Sequence, residues 1–409
     1  MHQEASNGTV ARADSGALRV LVVHNRYQIR GGEDIAVDSE VAALHAAGLD
    51  VVTRIVSNDC IRGPRDRLAA AAGAAQSAYG MKLVREAIQA VRPSILHVHN
   101  YFPLISPAVH GEAHAAGVAT VQTFHNFRAV CAGALLMRDS APCDTCIGAS
   151  AYWGAWHRCY RRSLFGSLAA AHTVHTHRRR GTWRHDVDRF IVMSPFARDR
   201  FAQAGLPVEK MVVKTNSVDD PGPPHEGERH GIVYAGRLSE EKGVRILVQA
   251  ASRCMAEVEV LGEGPLAAEL AAALPPNVIM RGPLPRADVR ARIATAQAVV
   301  VPSVCYEGSP MVIAEAFAAG TPVVVSRLGP LIGFVQHEVT GLHAEPGDPV
   351  SLAVQLDRIA ANPALARAFG RCARATYETK WSPHANVATL QRVYVEALKA
   401  FAERRQPAA

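Results

Sequence analysis

Two kinds of segment alternate along the chain. Short runs rich in valine and isoleucine have the composition of buried strands, and each is followed by a stretch of helical composition. Strands that alternate with helices predict parallel sheets covered by helices, so we predict an α/β fold. The strand-like runs are, in chain order, LRVLVVHN, DVVTRIV, SILHVHN, ATVQTFHN, RFIVMS, GIVYAGR, AEVEVLGEG, AVVVPS and PVVVS.

The alternation is interrupted once, by a segment rich in proline, glycine and charge. This segment, NSVDDPGPPHEGERH, runs from Asn216 to His230 and has the composition of an interdomain linker. We therefore predict two Rossmann-like halves of similar size. The predicted divisions are a disordered tail at 1–17, a first domain at 18–215, a second domain at 216–380 and a final helix at 381–409.

Composition narrows the class of protein. Apolar residues make up 49% of the 409 residues and mean hydropathy is +0.03, which is typical of a globular chain with two sizeable cores. Residues 1–17 lack the apolar region of a signal peptide, and no run approaches the length needed to span a bilayer. Eight cysteines are too few for a secreted disulfide scaffold. We expect a cytoplasmic protein.

Positive charge is concentrated in one part of the chain. Residues 151–200 hold ten of the Lys and Arg residues but three of the acidic ones, an excess that equals the net charge of +7. A basic patch on an otherwise balanced protein indicates an anionic surface or substrate. No motif points to nucleic acid.

The segment VPSVCYEGSPMVIAEAFAAGTPVVVS keeps two acids in apolar surroundings. We predict a strand, a loop that carries Glu307, and a helix that carries Glu315, with Ser309 as N-cap and Pro310 in the first helical position. Ligands collect at the carboxyl ends of parallel strands, where a helix N-terminus offers free amide donors to an anion. Both acids would then border a polar ligand. The alternative is that Glu315 faces solvent and Glu307 only decorates a loop.

Two cations follow an earlier strand, in YAGRLSEEKG. Arg237 offers a planar fork for phosphate oxygens and Lys242 a mobile point charge, so the pair suits a diphosphate. Acids that hold sugar or ribose hydroxyls, combined with bases that hold phosphates, indicate a sugar-nucleotide site.

At this point the sequence resembles the family 4 glycosyltransferases of the GT-B architecture. The second half resembles them through GRLSEEKG, VLGEGP, PSVCYEGSPMVIAEAFAAGTPVV and VTGLHAEPGD, and the first half through VLVVHNRYQIRGGED, ILHVHN, VQTFHN, FIVMS and VVKTNSVD. The resemblance spans about residues 18–400. It implies two Rossmann-like domains that face each other across a cleft, with the C-terminal helix crossing back to the first domain.

That final helix has its own apolar pattern. The positions that fall on one face, and that we predict to pack on the first domain, are Val387, Leu390, Val393, Val395 and Leu398.

The resemblance also implies residue roles. Arg237 and Lys242 would hold the donor diphosphate, Glu307 would lie by the transferred sugar, and Glu315 would contact the ribose. The glycine loop after the first strand corresponds to Gly31 and Gly32, near the donor phosphates. We predict further donor contacts at Ser309, Met311 and Val312, around the helix N-terminus. Family members transfer hexoses with retention of configuration and without a catalytic metal, from UDP or GDP donors.

His125 ends a strand and is predicted to project into the cleft as a catalytic residue with Glu307. The family commonly has His-Asp at this point, whereas this chain has His125 followed by Asn126. His99 also ends a strand. For either imidazole the alternative is a purely structural, hydrogen-bonded role.

Other functions are weighed against the same residues. The triplet Asp186–Asp188 can mimic the metal motif of a GT-A transferase, but it fits the lead-in to the strand RFIVMS. A nicotinamide-dependent oxidoreductase needs G-x-G-x-x-G after the first strand, where this chain has HNRYQIRGGED. A nucleotide-sugar epimerase and a non-catalytic sugar-nucleotide-binding subunit share the fold and stay open.

Four cysteines lie in an insertion-like segment at 131–159, directly after the His-Asn motif. Cys131, Cys143, Cys146 and Cys159 have the spacing Cys-x11-Cys-x2-Cys-x12-Cys, which can supply four thiolates to a tetrahedral zinc ion. We predict a structural zinc site. Packed free thiols and an iron–sulfur site are the alternatives.

The basic stretch that follows predicts an interfacial helix. Four apolar residues, Leu164, Phe165, Leu168 and Val174, are flanked by six arginines, Arg158, Arg161, Arg162, Arg178, Arg179 and Arg180. We expect loose binding to an anionic membrane at the inner face of the plasma membrane, and an acceptor that is a saccharide, lipid-linked, in surface polysaccharide assembly. The alternative is a solvated basic face over a packed helix.

Overall fold

The computed structural model describes residues 18–405 and contains two six-stranded sheets, each parallel throughout. The predicted tail at 1–17 and the last four residues lie outside the described part of the chain. Helices cover both faces of each sheet, as parallel strands require. The predicted α/β fold with two Rossmann-like sheets is confirmed.

The first sheet has the strand order β2-β1-β3-β4-β7-β8. Its central strands are buried from end to end, because they are built from the apolar runs noted above. A two-stranded hairpin, β5 and β6, lies apart from it. The strands are β1 Arg19–Arg26, β2 Asp50–Ser57, β3 Ile95–Val98, β4 Ala119–Phe124, β5 Met137–Arg138, β6 Ala141–Pro142, β7 Arg189–Val192 and β8 Met211–Val213.

Several helices of this half begin at side-chain caps. The hydroxyls of Ser77, Ser163 and Ser194 each accept a hydrogen bond from an amide of the first turn, which satisfies a donor that the helix leaves free. The helices are α1 Gly32–Ala46, α2 Pro64–Gly73, α3 Ala78–Val91, α4 Val109–Ala115, α5 Trp153–Trp156, α6 Leu164–Arg180, α7 Thr182–His185 and α8 Pro195–Gln203.

The second sheet has the order β11-β10-β9-β12-β13-β14. Its strands are β9 Ile232–Ala235, β10 Val258–Leu261, β11 Val278–Gly282, β12 Ala298–Val301, β13 Val323–Ser326 and β14 Gly341–Ala344. Its helices are α9 Val244–Ala251, α10 Ala267–Ala271, α11 Arg286–Thr295, α12 Met311–Ala318, α13 Pro330–Phe334, α14 Pro349–Ala360 and α15 Pro363–Thr376.

The segment between the sheets has no helix or strand from residue 214 to residue 231. It is nevertheless anchored, because the amide of Val218 donates to Trp381 O at 3.3 Å and Tyr377 donates its hydroxyl to Val218 O at 3.0 Å. Tyr377 and Trp381 bound a π-helical turn that packs into the second domain's core.

The last helix, α16, spans Pro383–Arg405 and returns to the first domain, as predicted. Leu390, Val393 and Tyr394 are fully buried in the apolar cluster that covers one face of the first sheet. One predicted core position is wrong, because Val395 is 46% exposed. The buried stripe continues instead through Tyr394, Ala397 and Phe401, which follows the 3.6-residue period of the helix.

The Asp186–Asp188 triplet anchors this helix. Asp188 is fully buried, accepts the amide of Thr120 at 2.7 Å, and pairs with the guanidinium of Arg404 on α16. Arg404 also donates to the carbonyl of His185 at 2.6 Å. The triplet is thus a structural tie between β4 and α16. None of the helices within residues 18–405 is both long and apolar enough to traverse a bilayer.

Candidate functional site

The carboxyl edges of the two sheets face each other, and two of the contacts between them involve glycines. A Cβ atom added to Gly308, in the loop after β12, would lie 2.1 Å from the carbonyl oxygen of His125, which follows β4. A Cβ atom added to Gly32, at the start of α1, would lie 3.7 Å from Cγ of Met311. Four predicted site residues or their direct neighbours therefore meet across the cleft.

The helix that carries Glu315 begins one residue later than predicted. Pro310 occupies the N-cap position and Met311 is the first helical residue, so the prediction that Ser309 caps the helix is wrong. Ser309 contacts the interdomain segment instead, because its hydroxyl and its carbonyl accept from Asn216 at 3.4 and 3.3 Å. Proline lacks an N–H and fixes its own φ, so it ends the loop without help from a side chain.

The first turn of α12 is a candidate anion site. Within residues 18–405, the amides of Met311 and Val312 donate to no backbone carbonyl or side chain. Free amides and the positive end of the helix dipole both favour a negative group here.

Beside this turn, Lys242 and Glu307 form a tight ion pair. Lys242 Nζ lies 2.7 Å from Glu307 Oε1 and 2.9 Å from Oε2, and the hydroxyl of Ser303 donates to Oε1 at 2.5 Å. Glu307 and Ser303 are buried, whereas Lys242 is partly exposed. Gly243 permits this approach, because it adopts φ +68° and a Cβ there would lie 1.9 Å from the carbonyl of Pro302.

Lys242 keeps its positive charge in this pair. Burial alone would lower the pKa of Lys242, but the carboxylate of Glu307 and its hydrogen bonds raise that pKa above the ordinary value. Lys242 therefore stays cationic at neutral pH and carries a charge into the cleft.

Arg237 and Glu315 flank this pair at the sheet edge. Arg237 is exposed after β9, and no ion pair joins it to any other described residue. Glu315 is largely buried, and its Oε1 accepts from Arg286 at 3.1 Å and lies 3.5 Å from Arg290. The solvent-facing alternative for Glu315 is thus wrong. Two arginines of α11 hold its carboxylate in place.

The glycine loop of the first domain is fixed by a buried acid. Asp34 accepts the amide of Gly31 at 3.0 Å through Oδ2, while its Oδ1 lies 2.8 Å from His24 Nε2. Burial would raise the pKa of Asp34, but the hydrogen bonds from His24 and Gly31 hold it below its usual range. The loop presents Gly32, without a side chain, toward α12.

His125 lies at the cleft end of β4 with a second histidine behind it. His99 Nδ1 is 2.9 Å from His125 Nε2, and the two rings stack with centroids 5.3 Å apart. Burial lowers the pKa of both imidazoles, that of His125 well below its ordinary value, so both are neutral. Asn126, where the family commonly has aspartate, is directed elsewhere.

Asn126 belongs to a separate polar cluster beside His125. Its amide nitrogen lies 3.2 Å from Glu33 Oε2, and its Oδ1 accepts the amide of Arg128 at 3.0 Å. Tyr27 donates its hydroxyl to the same oxygen of Glu33 at 2.9 Å. Burial raises the pKa of Glu33. Asn126 therefore orients the Glu33 loop and not the imidazole of His125.

The four cysteines of residues 131–159 share one neighbourhood. Cys131 and Cys146 are buried, and backbone amides that follow Cys131 donate to its sulfur. Burial, and then the charge of Cys131, raises the pKa of Cys146 to about 11, and the same two effects raise the pKa of Cys159. No disulfide joins these four cysteines. Among the described residues, the potential metal-ligand atoms that lie within 4.8 Å of one another belong to Glu40, His97 and His99, and the four sulfurs do not form such a group.

Helix α6 differs in part from the predicted interfacial helix. Leu164, Phe165 and Leu168 are exposed, and Phe165 most of all at 79%. Val174 is buried in the core, so its predicted place on the exposed face is wrong. Arg178 also turns inward and donates to the carbonyls of Cys146 and Ala149. The other five arginines of the predicted set are exposed, namely Arg158, Arg161, Arg162, Arg179 and Arg180.

The sequence patterns did not identify some of the site residues. Ser303 was missed because it ends the apolar run AVVVPS, where a serine is typical of a turn. Glu40 and Lys214 were missed because they lie 174 positions apart, yet they form a buried ion pair with an N–O distance of 2.8 Å. A weak signal was present around β3, where His97 and His99 occupy alternate positions of a buried run. A buried imidazole needs hydrogen-bond partners, so these two histidines indicated a buried polar cluster.

Glycosyltransferase family models match both halves of the chain. The model of Glycosyltransferase Family 4 matches residues 21–220, and the model of Glycosyl transferases group 1 matches residues 229–362. An uncharacterized glycosyltransferase of Methanocaldococcus jannaschii is 34% identical over 137 residues, which are 31% of this chain and 35% of that protein.

The amylovoran biosynthesis glycosyltransferase AmsK of Erwinia amylovora is 27% identical over 219 residues, which are 49% of this chain and 51% of that protein. The chain thus spans a third to a half of the length of these curated relatives.

Solved structures resemble the whole fold. Sucrose-phosphate synthase from Thermosynechococcus elongatus superposes with a TM-score of 0.70 at 19% identity, over 93% of this chain and 100% of the other. HepE of Anabaena, solved in complex with UDP and glucose, gives 0.63 at 16% identity, over 92% and 100% of the two chains. At such identities the likeness concerns the fold alone. Together with the two family models, it shows that this chain belongs to the family 4 (group 1) glycosyltransferases, with the GT-B architecture.

Proposed function

We propose that this protein transfers a hexose from a nucleoside diphosphate sugar to a saccharide acceptor, with retention of anomeric configuration. One observation carries the proposal. The ion pair of Lys242 and Glu307 lies beside the free amides of α12, and the next residue, Gly308, contacts His125 of the opposite domain. Cations, a helix N-terminus, a carboxylate and an imidazole therefore converge on one cleft.

The donor diphosphate fits the cationic side of this cleft. Lys242, the exposed Arg237 and the amides of Met311 and Val312 would neutralise the charge that builds up as the diphosphate leaves. Gly32 leaves room for phosphate oxygens opposite α12. Protein cations supply this neutralisation, so we propose a metal-independent reaction.

Glu307 would change partners when the donor binds. Its carboxylate is bonded to Lys242 and Ser303 without a ligand. A phosphate that attracts Lys242 would release one oxygen of Glu307 toward the sugar, which passes through a positively charged, oxocarbenium-like state. Glu315, fixed by Arg286, would accept hydrogen bonds from the ribose hydroxyls.

The acceptor site is proposed in the first domain, at a cavity of about 610 Å³ that is lined in part by Phe102 and Tyr160. The guanidinium of Arg128 lies over both rings, 4.4 and 5.2 Å from their centroids. Arg128 also lines the small pocket that contains His125. Two of its nitrogens, Nε and Nη1, are buried and have no hydrogen-bond partner among the described residues. An anionic group that enters the small pocket would supply one.

The outer end of the same cavity is apolar and basic. Leu68 and Phe165 are 72% and 79% exposed there, and Arg161 borders them. A phosphate-linked lipid has the matching chemistry, an anionic head for the arginines and a hydrocarbon chain for the apolar side chains. We therefore propose a lipid-linked saccharide acceptor and peripheral attachment to the inner face of an anionic membrane. The similarity to AmsK supports a role in polysaccharide biosynthesis.

A structural zinc ion is proposed for the four cysteines. Residues 131–159 contain only two strands of two residues and one helix of four, so little regular structure holds them. Burial raises the pKa of Cys131, but amide hydrogen bonds to its sulfur oppose that effect and favour a thiolate. The sulfurs would have to draw together on binding. Purified protein should contain one zinc per chain, and thiols that all titrate freely without metal would refute the site.

Donor binding tests the proposal first. The stabilisation of folding by UDP, GDP, ADP and their glucose conjugates, measured by thermal unfolding, should show one nucleotide that stabilises most. The UDP complex of the structurally similar HepE makes UDP the first choice and GDP the second. If no nucleotide stabilises the protein, the proposed donor site is wrong.

A further inference from the structure

A series of side chains leads from the interior of the first domain to His125. Lys214 donates to Glu40 Oε2 at 2.8 Å, and both residues are buried. The other oxygen, Oε1, lies 3.4 Å from His99 Nε2, and neither of these two atoms has a hydrogen-bond partner elsewhere among the described residues. His99 Nδ1 in turn lies 2.9 Å from His125 Nε2.

The charge states along this series are set by burial and by Lys214. Burial would raise the pKa of Glu40, but the charge of Lys214 and the contacts with His99 and His97 hold that pKa well below its usual range. Burial lowers the pKa of His99 and of His125. At neutral pH a carboxylate therefore faces two neutral imidazoles, each with one N–H and one lone pair.

We infer that Glu40, acting through His99, fixes the tautomer of His125 so that Nε2 carries the proton and Nδ1 carries a lone pair. A carboxylate only accepts hydrogen bonds, so His99 Nε2 must carry its proton toward Glu40. His99 Nδ1 is then an acceptor, and His125 Nε2 must donate to it. The opposite arrangement would set the lone pair of His99 against the carboxylate.

The consequence for the site concerns His125 Nδ1. This atom is buried and has no hydrogen-bond partner among residues 18–405, and His125 lines a small pocket together with Asn126 and Arg128. A substrate hydroxyl that reaches this pocket would meet an acceptor at Nδ1, a role that rests on the proposed function. Glu40 and His99 are positioning residues, and they replace the aspartate that this chain lacks after His125.

Two other assignments of the cluster fit less well. Glu40, His97 and His99 could form a metal site, but Lys214 already balances the charge of Glu40. His97 Nδ1 is bonded to the hydroxyl of Tyr394 at 2.9 Å, and His97 Nε2 to that of Thr123 at 2.7 Å. Both ring nitrogens of His97 thus have hydrogen-bond partners without a metal. A purely structural role for His99 would leave unexplained why the buried Nδ1 of His125 has no hydrogen-bond partner among the described residues.

Nitrogen NMR of the ring atoms tests the inference directly. In protein labelled with ¹⁵N-histidine, protonated and bare ring nitrogens differ strongly in chemical shift, and His125→Gln identifies the signals of His125. We expect Nε2 protonated and Nδ1 bare at pH 7, unchanged by a metal chelator. A protonated Nδ1, or signals of His125 that shift with the chelator, would overturn the inference.

Variants then connect the tautomer to Glu40. Removing Glu40 alone would leave Lys214 buried without a partner, so the pair is replaced together, by Glu40→Leu with Lys214→Met. In this variant His125 should show both tautomers. Tyr394→Phe is the matched control, since it removes a buried hydroxyl from His97 but lies outside the series. A single, unchanged tautomer in the double variant would contradict the role of Glu40.

This result is separable from the proposed function, because the tautomer is read without donor or acceptor. If a donor binds but His125 has the other tautomer, the inference alone fails. If the tautomer is as inferred but no nucleotide binds, the proposed function alone fails. Once a substrate is known, the double variant should lose at least about tenfold in kcat/KM, which is typical of a misdirected acid–base group.

Discussion

Gly308 of the second domain and His125 of the first are in backbone contact across the cleft. A Cβ atom on Gly308 would lie 2.1 Å from the carbonyl oxygen of His125 and 3.3 Å from its carbonyl carbon. Because the opposing group is backbone, it cannot rotate away as a side chain can. The two halves of the site therefore close on each other only if residue 308 has no side chain.

Gly308→Ala should accordingly hold the cleft open. We expect a loss of donor affinity of about tenfold or more, with little change in thermal unfolding, because the contact lies outside both domain cores. Calorimetric titration with the stabilising nucleotide measures the loss, and small-angle scattering measures the opening. Gly333→Ala is the matched control, since nothing lies within 4 Å of a Cβ added there. Unchanged affinity for Gly308→Ala would refute the closed arrangement.

Stability should fall at acidic pH through buried histidines. Burial lowers the pKa of His110 and of His177 from 6.5 to about 4. The unfolded chain binds protons at these rings below pH 6.5, while the folded rings stay neutral. Their contribution is therefore complete above pH 6.5 and is lost as pH falls toward 4, by up to about 3 kcal/mol per ring.

Urea unfolding at a series of pH values measures this dependence. His110→Gln should flatten the curve between pH 6.5 and pH 4, because residue 110 then takes up no proton in the unfolded state. His157→Gln, at an exposed position, should leave the slope unchanged. Equal slopes for wild type and His110→Gln would show that His110 is protonated in the folded protein.

The returning helix α16 should stabilise the first domain. Leu390 is fully buried against the first sheet, so Leu390→Ala should cost about 2–5 kcal/mol of unfolding free energy. Val395 is 46% exposed on another face of the same helix, and Val395→Ala should cost less than about 0.5 kcal/mol. Urea unfolding followed by circular dichroism reports the difference. Similar costs for both variants would place α16 elsewhere.

Membrane binding should depend on the exposed start of α6. Arg161 and Arg162 are exposed beside Leu164 and Phe165, so Arg161→Glu with Arg162→Glu should abolish flotation with phosphatidylglycerol vesicles at low salt. Each basic residue near an anionic surface contributes about 1 kcal/mol, and reversing two charges removes more than their summed attraction.

The control reverses two arginines of the opposite domain. Arg367 and Arg371 are exposed on α15, and Arg367→Glu with Arg371→Glu changes net charge equally. This variant should float as wild type does. Equal loss in both variants would mean that net charge, and not the α6 surface, drives binding, and wild type that does not float would exclude the membrane proposal.

The sequence alone predicted those strands and helices that follow from local composition and periodicity. Strand-like valine runs, the helix after Glu307 and the return of the last helix all follow from periodicity or from the family resemblance. The short strands β8, β11 and β14 were missed, because all three lie at sheet edges and their apolar runs are brief. Val395 and Val174 were misplaced because apolar type alone does not say which face of a helix a residue occupies.

The site's internal contacts depend on residues that are distant in sequence. Lys242 meets Glu307 over 65 positions, and Glu40 meets Lys214 over 174. Such pairs follow from the strand order of each sheet, which a single sequence does not specify. The N-cap was misjudged for the same reason, since the hydroxyl of Ser309 accepts from the distant Asn216 in place of the helix amides.

Sugar transfer that depends on Lys242 can be measured directly. The donor selected by the binding panel is incubated with a synthetic polyprenyl-diphosphate-linked saccharide, and released nucleoside diphosphate is compared with new glycosidic bonds by proton NMR. We expect equal amounts of nucleoside diphosphate and new glycosidic bond, and a product with the same anomeric configuration as the donor. The rate should be lower by about tenfold or more for Lys242→Met, and unchanged for the exposed control Lys82→Met. Full activity of Lys242→Met, or nucleotide release without a new glycosidic bond, would contradict sugar transfer that depends on Lys242.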